Sequence, residues 1–61
     1  MKHHLHDEQF DNHLHAACAR TDAIAPDDPR ARFFLDDLAT VLKADRCRAC
    51  ARIWWPHGGE P

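Results

Sequence analysis

Hydrophobic and polar positions along the chain follow a helical rhythm in three stretches. In the first, residues 7–20, apolar or small residues have the spacing i, i+4, i+7 and i+8, which indicates an amphipathic helix with one buried face. These positions are Phe10, Leu14, Ala17 and Cys18. His15 precedes Cys18 by three residues and therefore shares that face. A segment rich in proline and aspartate, residues 21–29, is predicted to end this helix.

The second stretch, residues 29–43, has the clearest periodicity. Asp28 can cap the first free amides and Pro29 suits the first helical position, so a helix is predicted to begin there. Its apolar face comprises Ala31, Phe34, Leu35, Leu38, Val41 and Leu42. In the third stretch, Asp45 is predicted to cap a helix that Pro56 ends. The apolar stripe of that helix comprises Cys47, Cys50, Ala51 and Trp54.

These elements predict an all-α fold, a single small domain of three short helices within residues 1–61. Neither an internal repeat nor the alternation typical of a strand is evident in the sequence. Residues 1–6 and 57–61 are expected to be flexible ends. A chain of 61 residues buries only about 60% of the surface that it exposes when unfolded, so its core is marginal. Scaffolds of this size commonly need a disulfide or a metal to hold them together.

The cysteine content favours a metal in that role. Three cysteines are an odd number, and a disulfide framework leaves one thiol over, whereas three thiolates and one imidazole complete a tetrahedral site. Cys47 and Cys50 form a CxxC pair with both sulfurs within one turn, and His15 and Cys18 form a second pair at the same spacing. The sequence therefore predicts a Cys3His site made of His15, Cys18, Cys47 and Cys50, with zinc as the cofactor.

Alternatives stay open at each of these positions. His13 and His57 are rival fourth ligands, and Cys18 can be an ordinary buried small residue. A CxxC pair also occurs in thiol redox motifs, although those follow a strand in a βαβ setting that this sequence does not suggest. The N-terminal histidines are as typical of a disordered tail as of a nickel or copper site. They are His3, His4 and His6.

Charge indicates the kind of partner. The formal net charge of -2 lacks the basic excess that drives binding to phosphate backbones, so nucleic acid is not expected as the main partner. Arg46, Arg48 and Arg52 surround the CxxC pair, and Trp55 is expected at the surface beside them, with Trp54 in the core. An exposed tryptophan near arginines is typical of a protein-binding anchor. Neither a signal peptide nor an apolar stretch of ~20 residues is evident, so we expect a cytoplasmic protein without a membrane partner.

The cysteine pattern resembles the zinc-associated anti-sigma domain of bacterial transcription regulators. That family carries a Cys or His on its first helix and, after a second helix, His-x3-Cys-x2-Cys leading into a third. Cys18, Cys47 and Cys50 match this pattern, whereas the position of the motif histidine is Lys43. The fourth ligand must then come from elsewhere, with His15 ahead of its rivals His13 and His57. The resemblance covers residues 10–55. It implies a helical module that wraps a sigma factor and blocks polymerase binding.

A second resemblance is to the WhiB-like iron-sulfur regulators, through residues 18–22, the CxxC pair and residues 53–59. Those proteins use four cysteines, and the fourth position here is Pro56 with His57 beside it, so the resemblance implies a cluster with an unusual histidine ligand. The leading functional prediction is a zinc-stabilised protein-binding regulator that acts on a sigma factor or an RNA polymerase component. The alternative is a metal- or redox-responsive sensor. An enzyme is not expected, because four protein ligands leave no open coordination position.

Overall fold

A computed structural model describes residues 2–8 and 11–61 and shows a three-stranded mixed sheet with one α-helix packed beside it. The elements are β1 (His4–Asp7), β2 (His15–Ala16), β3 (Phe34–Leu35) and α1 (Arg48–Trp54). Short 3-10 helices also occur at Pro29–Phe33, Leu38–Thr40 and Lys43–Asp45. The prediction of an all-α, three-helix domain is therefore wrong.

The sheet is built around β1, which lies between β2 and β3. The paired positions are His6 with Ala16 and Asp7 with His15 in the antiparallel ladder, and His4 with Phe34 and Leu5 with Leu35 in the parallel ladder. The N-terminal segment predicted to be a flexible end thus contributes most of the central strand. Both edges of β1 are occupied by backbone hydrogen bonds, which orders this segment far more than its sequence indicates.

The segment before Ile24 contains a strand and turns in place of the first predicted helix. Asn12 and Ala19 have φ values of 60° and 56°, a left-handed conformation that an α-helix does not contain. Leu14 and Ile24 exchange backbone hydrogen bonds of 2.8 and 3.1 Å. The helical spacing is overridden because these pairings satisfy the backbone and bury apolar side chains at the same time. Phe10, predicted for the buried helical face, lies outside the described residues.

The second predicted helix begins where expected but does not continue. The Asp28 carboxylate accepts a hydrogen bond of 2.8 Å from the Arg30 amide, and Pro29 is the first residue of the 3-10 helix that follows. Farther along, the Asp37 carboxylate accepts a 2.8 Å hydrogen bond from the Ala39 amide, and Asp37 itself is extended. Side-chain bonds of this kind compete with a continuous helix, and between the two turns the chain pairs with β1 as β3.

The third predicted helix is present as α1. Its N-cap is Cys47 rather than Asp45. The two tryptophans are the reverse of the prediction, because Trp54 is 42% exposed whereas Trp55 packs against the core. Trp55 lies beyond the last helical residue, with φ −122° and ψ 73°, so its side chain does not follow the helical stripe.

A small apolar core lies between the sheet and α1. Its buried members are Leu5, Ala16, Leu38 and Cys50. Leu38 and Cys50 are completely inaccessible to solvent, while aromatic side chains such as Phe34 cover the core only in part. Within residues 2–8 and 11–61, no helix has the length and apolarity needed to cross a membrane.

Candidate metal centre

Four side chains from distant parts of the chain converge beside this core. They are His4, Cys18, Cys47 and Cys50, and their ligand atoms all lie within 4.8 Å of one another. The Sγ atoms of Cys18 and Cys47 are 3.9 Å apart. The Nδ1 atom of His4 lies 3.9 Å from Cys18 Sγ and 3.8 Å from Cys50 Sγ. Three soft sulfur donors and one imidazole can therefore bind a single metal ion at this place.

The sheet positions His4 and Cys18. His4 is the first residue of β1, and its ring lies against that of Phe34 in β3, with the centroids 5.6 Å apart. Cys18 follows β2, where the Ala17 amide donates a 2.8 Å hydrogen bond to the Leu5 carbonyl oxygen. The left-handed turn at Ala19 comes directly afterwards. Cys18 is thereby presented at the end of β2, next to the central strand.

The CxxC pair is held beside His4 by the backbone of its neighbour, His3. The His3 amide donates to the Asp45 carbonyl oxygen and the Cys47 amide donates to the His3 carbonyl oxygen, both at 2.7 Å. These bonds extend the sheet and bring Cys47 to the start of β1. Cys50 lies one turn into α1, which places its sulfur on the same side as that of Cys47.

Arg46 anchors the same segment from within the protein. This residue is only 4% exposed, and its Nε donates to the carbonyl oxygens of Leu38 at 2.9 Å and Val41 at 3.1 Å. Its Nη1 lies 3.0 Å from the carboxylate of Glu60. A buried guanidinium that makes these contacts is compensated for its lost hydration. Arg46 therefore belongs to the interior, and only Arg48 and Arg52 of the expected arginine cluster are exposed.

The ionisation of these groups follows from their surroundings. Burial raises the pKa of the Cys50 thiol to about 11. Burial also acts to raise the pKa of Cys47. Hydrogen bonds from the amide and thiol of Cys50 and from the thiol of Cys18 have the opposite effect and are stronger together, so the pKa of Cys47 lies below its ordinary value. The pKa of His4 is lowered by burial and by the nearby charge of His3. His4 is therefore a neutral imidazole at neutral pH, the form that binds metals.

The structure brings together the three predicted cysteines, with His4 in the place predicted for His15. The Nε2 atom of His15 lies 2.9 Å from Asp11 Oδ2, and the Nδ1 atom of His13 lies 2.8 Å from the Asp11 carbonyl oxygen. The reason for choosing His15 was a helical face shared with Cys18, and that face does not exist because His15 belongs to a strand. Among the described residues, this is the one group of three or more ligand side chains close enough for a metal.

Sequence reasoning missed His4 because a run of N-terminal histidines resembles a tail. A usable signal was present in residues 4–7, where a buried leucine alternates with polar neighbours, as in a half-buried strand. A strand at that position brings its histidines to the sheet and hence within reach of the cysteines.

Comparison with protein families, curated proteins and solved structures finds no match for this chain. The resemblances to anti-sigma domains and to WhiB-like regulators therefore stay predictions. The three-helix fold implied by the first resemblance differs from the fold observed. His57, which the second resemblance implied as a ligand, is exposed and lies outside the four-residue group.

Proposed function

We propose that this protein is a zinc-stabilised domain that binds another protein. The observation that carries the proposal is the Cys3His group. Zinc binds sulfur at about 2.3 Å and imidazole nitrogen at about 2.0–2.1 Å, so tetrahedral coordination separates two sulfurs by about 3.8 Å and sulfur from nitrogen by about 3.6 Å. The separations here are 3.9 Å between the sulfurs of Cys18 and Cys47, and 3.9 and 3.8 Å from His4 Nδ1 to the sulfurs of Cys18 and Cys50. All four ligand atoms lie within 4.8 Å of one another.

The donor set favours zinc and a structural role for it. Soft thiolates with one imidazole in a tetrahedral arrangement are typical of structural zinc, whereas catalytic zinc keeps one position open for water. An iron-sulfur cluster is normally held by four cysteines, and the chain has three. Four protein donors fill the coordination shell, so we infer that the metal supports the fold and does not perform chemistry.

Zinc would stabilise a domain whose apolar core is small. The ligands come from the start of β1, the end of β2 and the start of α1, so one ion would join three segments that are distant in sequence. Among the described residues, Leu38 and Cys50 are the largest side chains that are completely buried, so the core is small. The free energy of zinc binding adds directly to the free energy of folding. The domain is therefore expected to lose much of its stability without metal.

The exposed side of α1 supports protein binding. Trp54 is 42% exposed and Ile53 is 50% exposed, so two large apolar side chains lie side by side on the helix surface. Apolar surface residues of this kind, with arginines nearby, are typical of protein interfaces. A sigma factor or an RNA polymerase component is the partner suggested by the sequence resemblance, and it stays a prediction.

The test begins with the metal content of protein purified without added metal. Wild type should carry one zinc per chain, Cys47→Ser and His4→Ala should lose it, and His15→Ala should retain it as the matched control. Trp54→Ala should keep zinc and fold while losing capture of a candidate partner. A chain without zinc, or one in which His15→Ala abolishes binding and His4→Ala does not, would contradict the proposal.

The sulfur separation also favours a second candidate, a redox-responsive sensor. Cys18 and Cys47 are 3.9 Å apart, near enough for a disulfide to form after a small movement. Hydrogen peroxide would take two electrons from the two thiolates and, with two protons from solvent, become two water molecules. One S–S bond would form between the cysteines, and zinc would leave. Stoichiometric zinc release on peroxide treatment, reversed by a thiol reductant and zinc, would support this candidate. Resistance of the zinc complex to peroxide would exclude it.

A further inference from the structure

A second site lies beside α1 and is formed by residues other than the four proposed metal ligands. It is a cleft of about 200 Å³ that we call the basic cleft. Its lining includes Lys43, Arg48, Arg52, Trp55, Gly58 and Glu60. Three cationic side chains thus line the cleft together with one carboxylate and the partly buried ring of Trp55. The metal site uses none of these residues.

The cleft already holds one carboxylate of the chain itself. The side chain of Glu60 is 11% exposed, with its oxygens 3.0 Å from Arg46 Nη1 and 3.3 Å from Arg48 Nη1. Hydrogen bonding to Arg46 lowers the pKa of Glu60, so it stays charged. A turn at Gly58, whose φ of 76° suits glycine, brings the chain back over Trp55. The contact shows that Arg48, one of the cations that line this cleft, pairs with a carboxylate.

The positive charge of the cleft is not fully compensated. Among the described residues, Lys43 and Arg52 make no ion pair with an acidic group. The charge of Lys43 lies near enough to Glu60 to help lower the pKa of that carboxyl group. The Arg48 side chain is 61% exposed, which leaves most of its donors in solvent. The carboxylate of Glu60 contacts the buried Arg46 as well as Arg48. Its single negative charge therefore balances only part of the positive charge of Lys43, Arg48 and Arg52.

We propose that the basic cleft binds the carboxylate side chains of an acidic segment on a partner protein. The proposal rests on the protein-binding function proposed above and names the chemistry of the partner. Exposed guanidinium groups bind carboxylates with two parallel hydrogen bonds, and Trp55 provides an apolar wall for the stem of a glutamate. Incoming carboxylates bind to Lys43, Arg48 and Arg52 and compete with Glu60 for Arg48.

An acidic peptide fits this site better than a nucleic acid does. The cleft is short and its cations are clustered, whereas binding to a phosphate backbone uses basic residues distributed along a long surface. The rest of the chain is acidic, since the net charge is -2 despite the cations in the cleft. That remaining charge repels a polyanion that extends beyond the site.

The test measures fluorescence anisotropy of a short labelled polyglutamate peptide with zinc-loaded full-length chain. Wild type should bind, and the affinity should fall as salt is raised. Arg52→Gln should weaken binding about three-fold, and Arg48→Gln with Arg52→Gln about ten-fold, as expected for exposed ion pairs. Glu60→Gln removes the internal competitor and should tighten binding about three-fold. Arg32→Gln, which removes the same charge elsewhere, is the matched control and should bind as wild type does.

Zinc content is measured in every variant, so that a failure of the cleft is distinguished from a failure of the metal site. Absent or salt-independent binding by wild type that retains zinc would overturn the cleft alone. Equal losses in Arg52→Gln and Arg32→Gln would overturn it too, because a general charge effect would then be responsible. Tighter binding of a single-stranded oligonucleotide than of polyglutamate would point to phosphate. Self-association abolished by Arg52→Gln would make a second copy of the chain the occupant.

Discussion

Replacing His4 with alanine removes the single nitrogen donor from the proposed zinc site. The three sulfurs remain, and a water molecule has to fill the fourth position. Loss of a group that merely supports a ligand lowers metal affinity about 10–100-fold, and loss of the ligand itself should do at least as much. We therefore expect zinc affinity to fall by at least about 100-fold, equivalent to about 2.8 kcal/mol.

This loss should appear in the stability of the domain. When zinc is in large excess over the dissociation constants of both wild type and His4→Ala, the difference between their zinc-binding free energies adds in full to the difference between their unfolding free energies. The ring of His4 also lies 5.6 Å from that of Phe34, and losing such a pair costs about 0.5–1.5 kcal/mol. The sum is at least about 3.3 kcal/mol. The whole stability expected for 61 residues is about 3–9 kcal/mol.

Two assays separate the metal from the packing contribution. Competition with a chromophoric chelator gives the zinc affinity, and urea unfolding followed by tryptophan fluorescence gives the stability with saturating zinc and with excess chelator. Wild type and His4→Ala should differ in unfolding free energy by at least about 3.3 kcal/mol with saturating zinc. With excess chelator the difference should be only that of the ring contact, about 0.5–1.5 kcal/mol. His15→Ala should leave zinc affinity unchanged, because that imidazole contacts Asp11. Unchanged zinc affinity in His4→Ala would refute the assignment of this ligand.

Three further predictions follow from burial and ionisation. In metal-stripped protein that stays folded, Cys47 should be alkylated by iodoacetamide before Cys50. The Cys50 thiol is buried and its pKa is about 11, so at neutral pH it stays protonated and does not react. Peptide mapping by mass spectrometry measures the order, and equal rates would contradict it. Leu38→Ala should lower the unfolding free energy by about 2–4 kcal/mol, since Leu38 is 0% exposed; a change under about 1 kcal/mol in urea unfolding would contradict its place in the core. Acrylamide should quench Trp54 more strongly than Trp55, as fluorescence of the two single Trp→Phe variants can show, and the reverse order would favour the sequence-based prediction.

Local signals in the sequence predicted individual turns well and the fold class poorly. The aspartate and proline at 28 and 29 begin a helical turn as expected, and the CxxC pair lies at the start of a helix. The apolar spacing in residues 7–20 and 29–43 also fits strands of two residues joined by turns. A two-residue strand carries too few alternating positions to be told from a helix by periodicity.

The sequence by itself predicted the three sulfur donors of the proposed metal site. An odd number of cysteines, a CxxC spacing of one helical turn and a chain of only 61 residues follow from covalent structure and size, and each favours a metal over a disulfide. The tertiary structure decided which histidine lies beside the three cysteines, the buried position of Arg46 and which tryptophan is exposed. These depend on strand pairing between segments far apart in the chain, such as the bonds that join His3 to Asp45 and Cys47. Hydrophobic spacing within one segment carries no information about such pairing, because pairing is selected by the free energy of the whole fold.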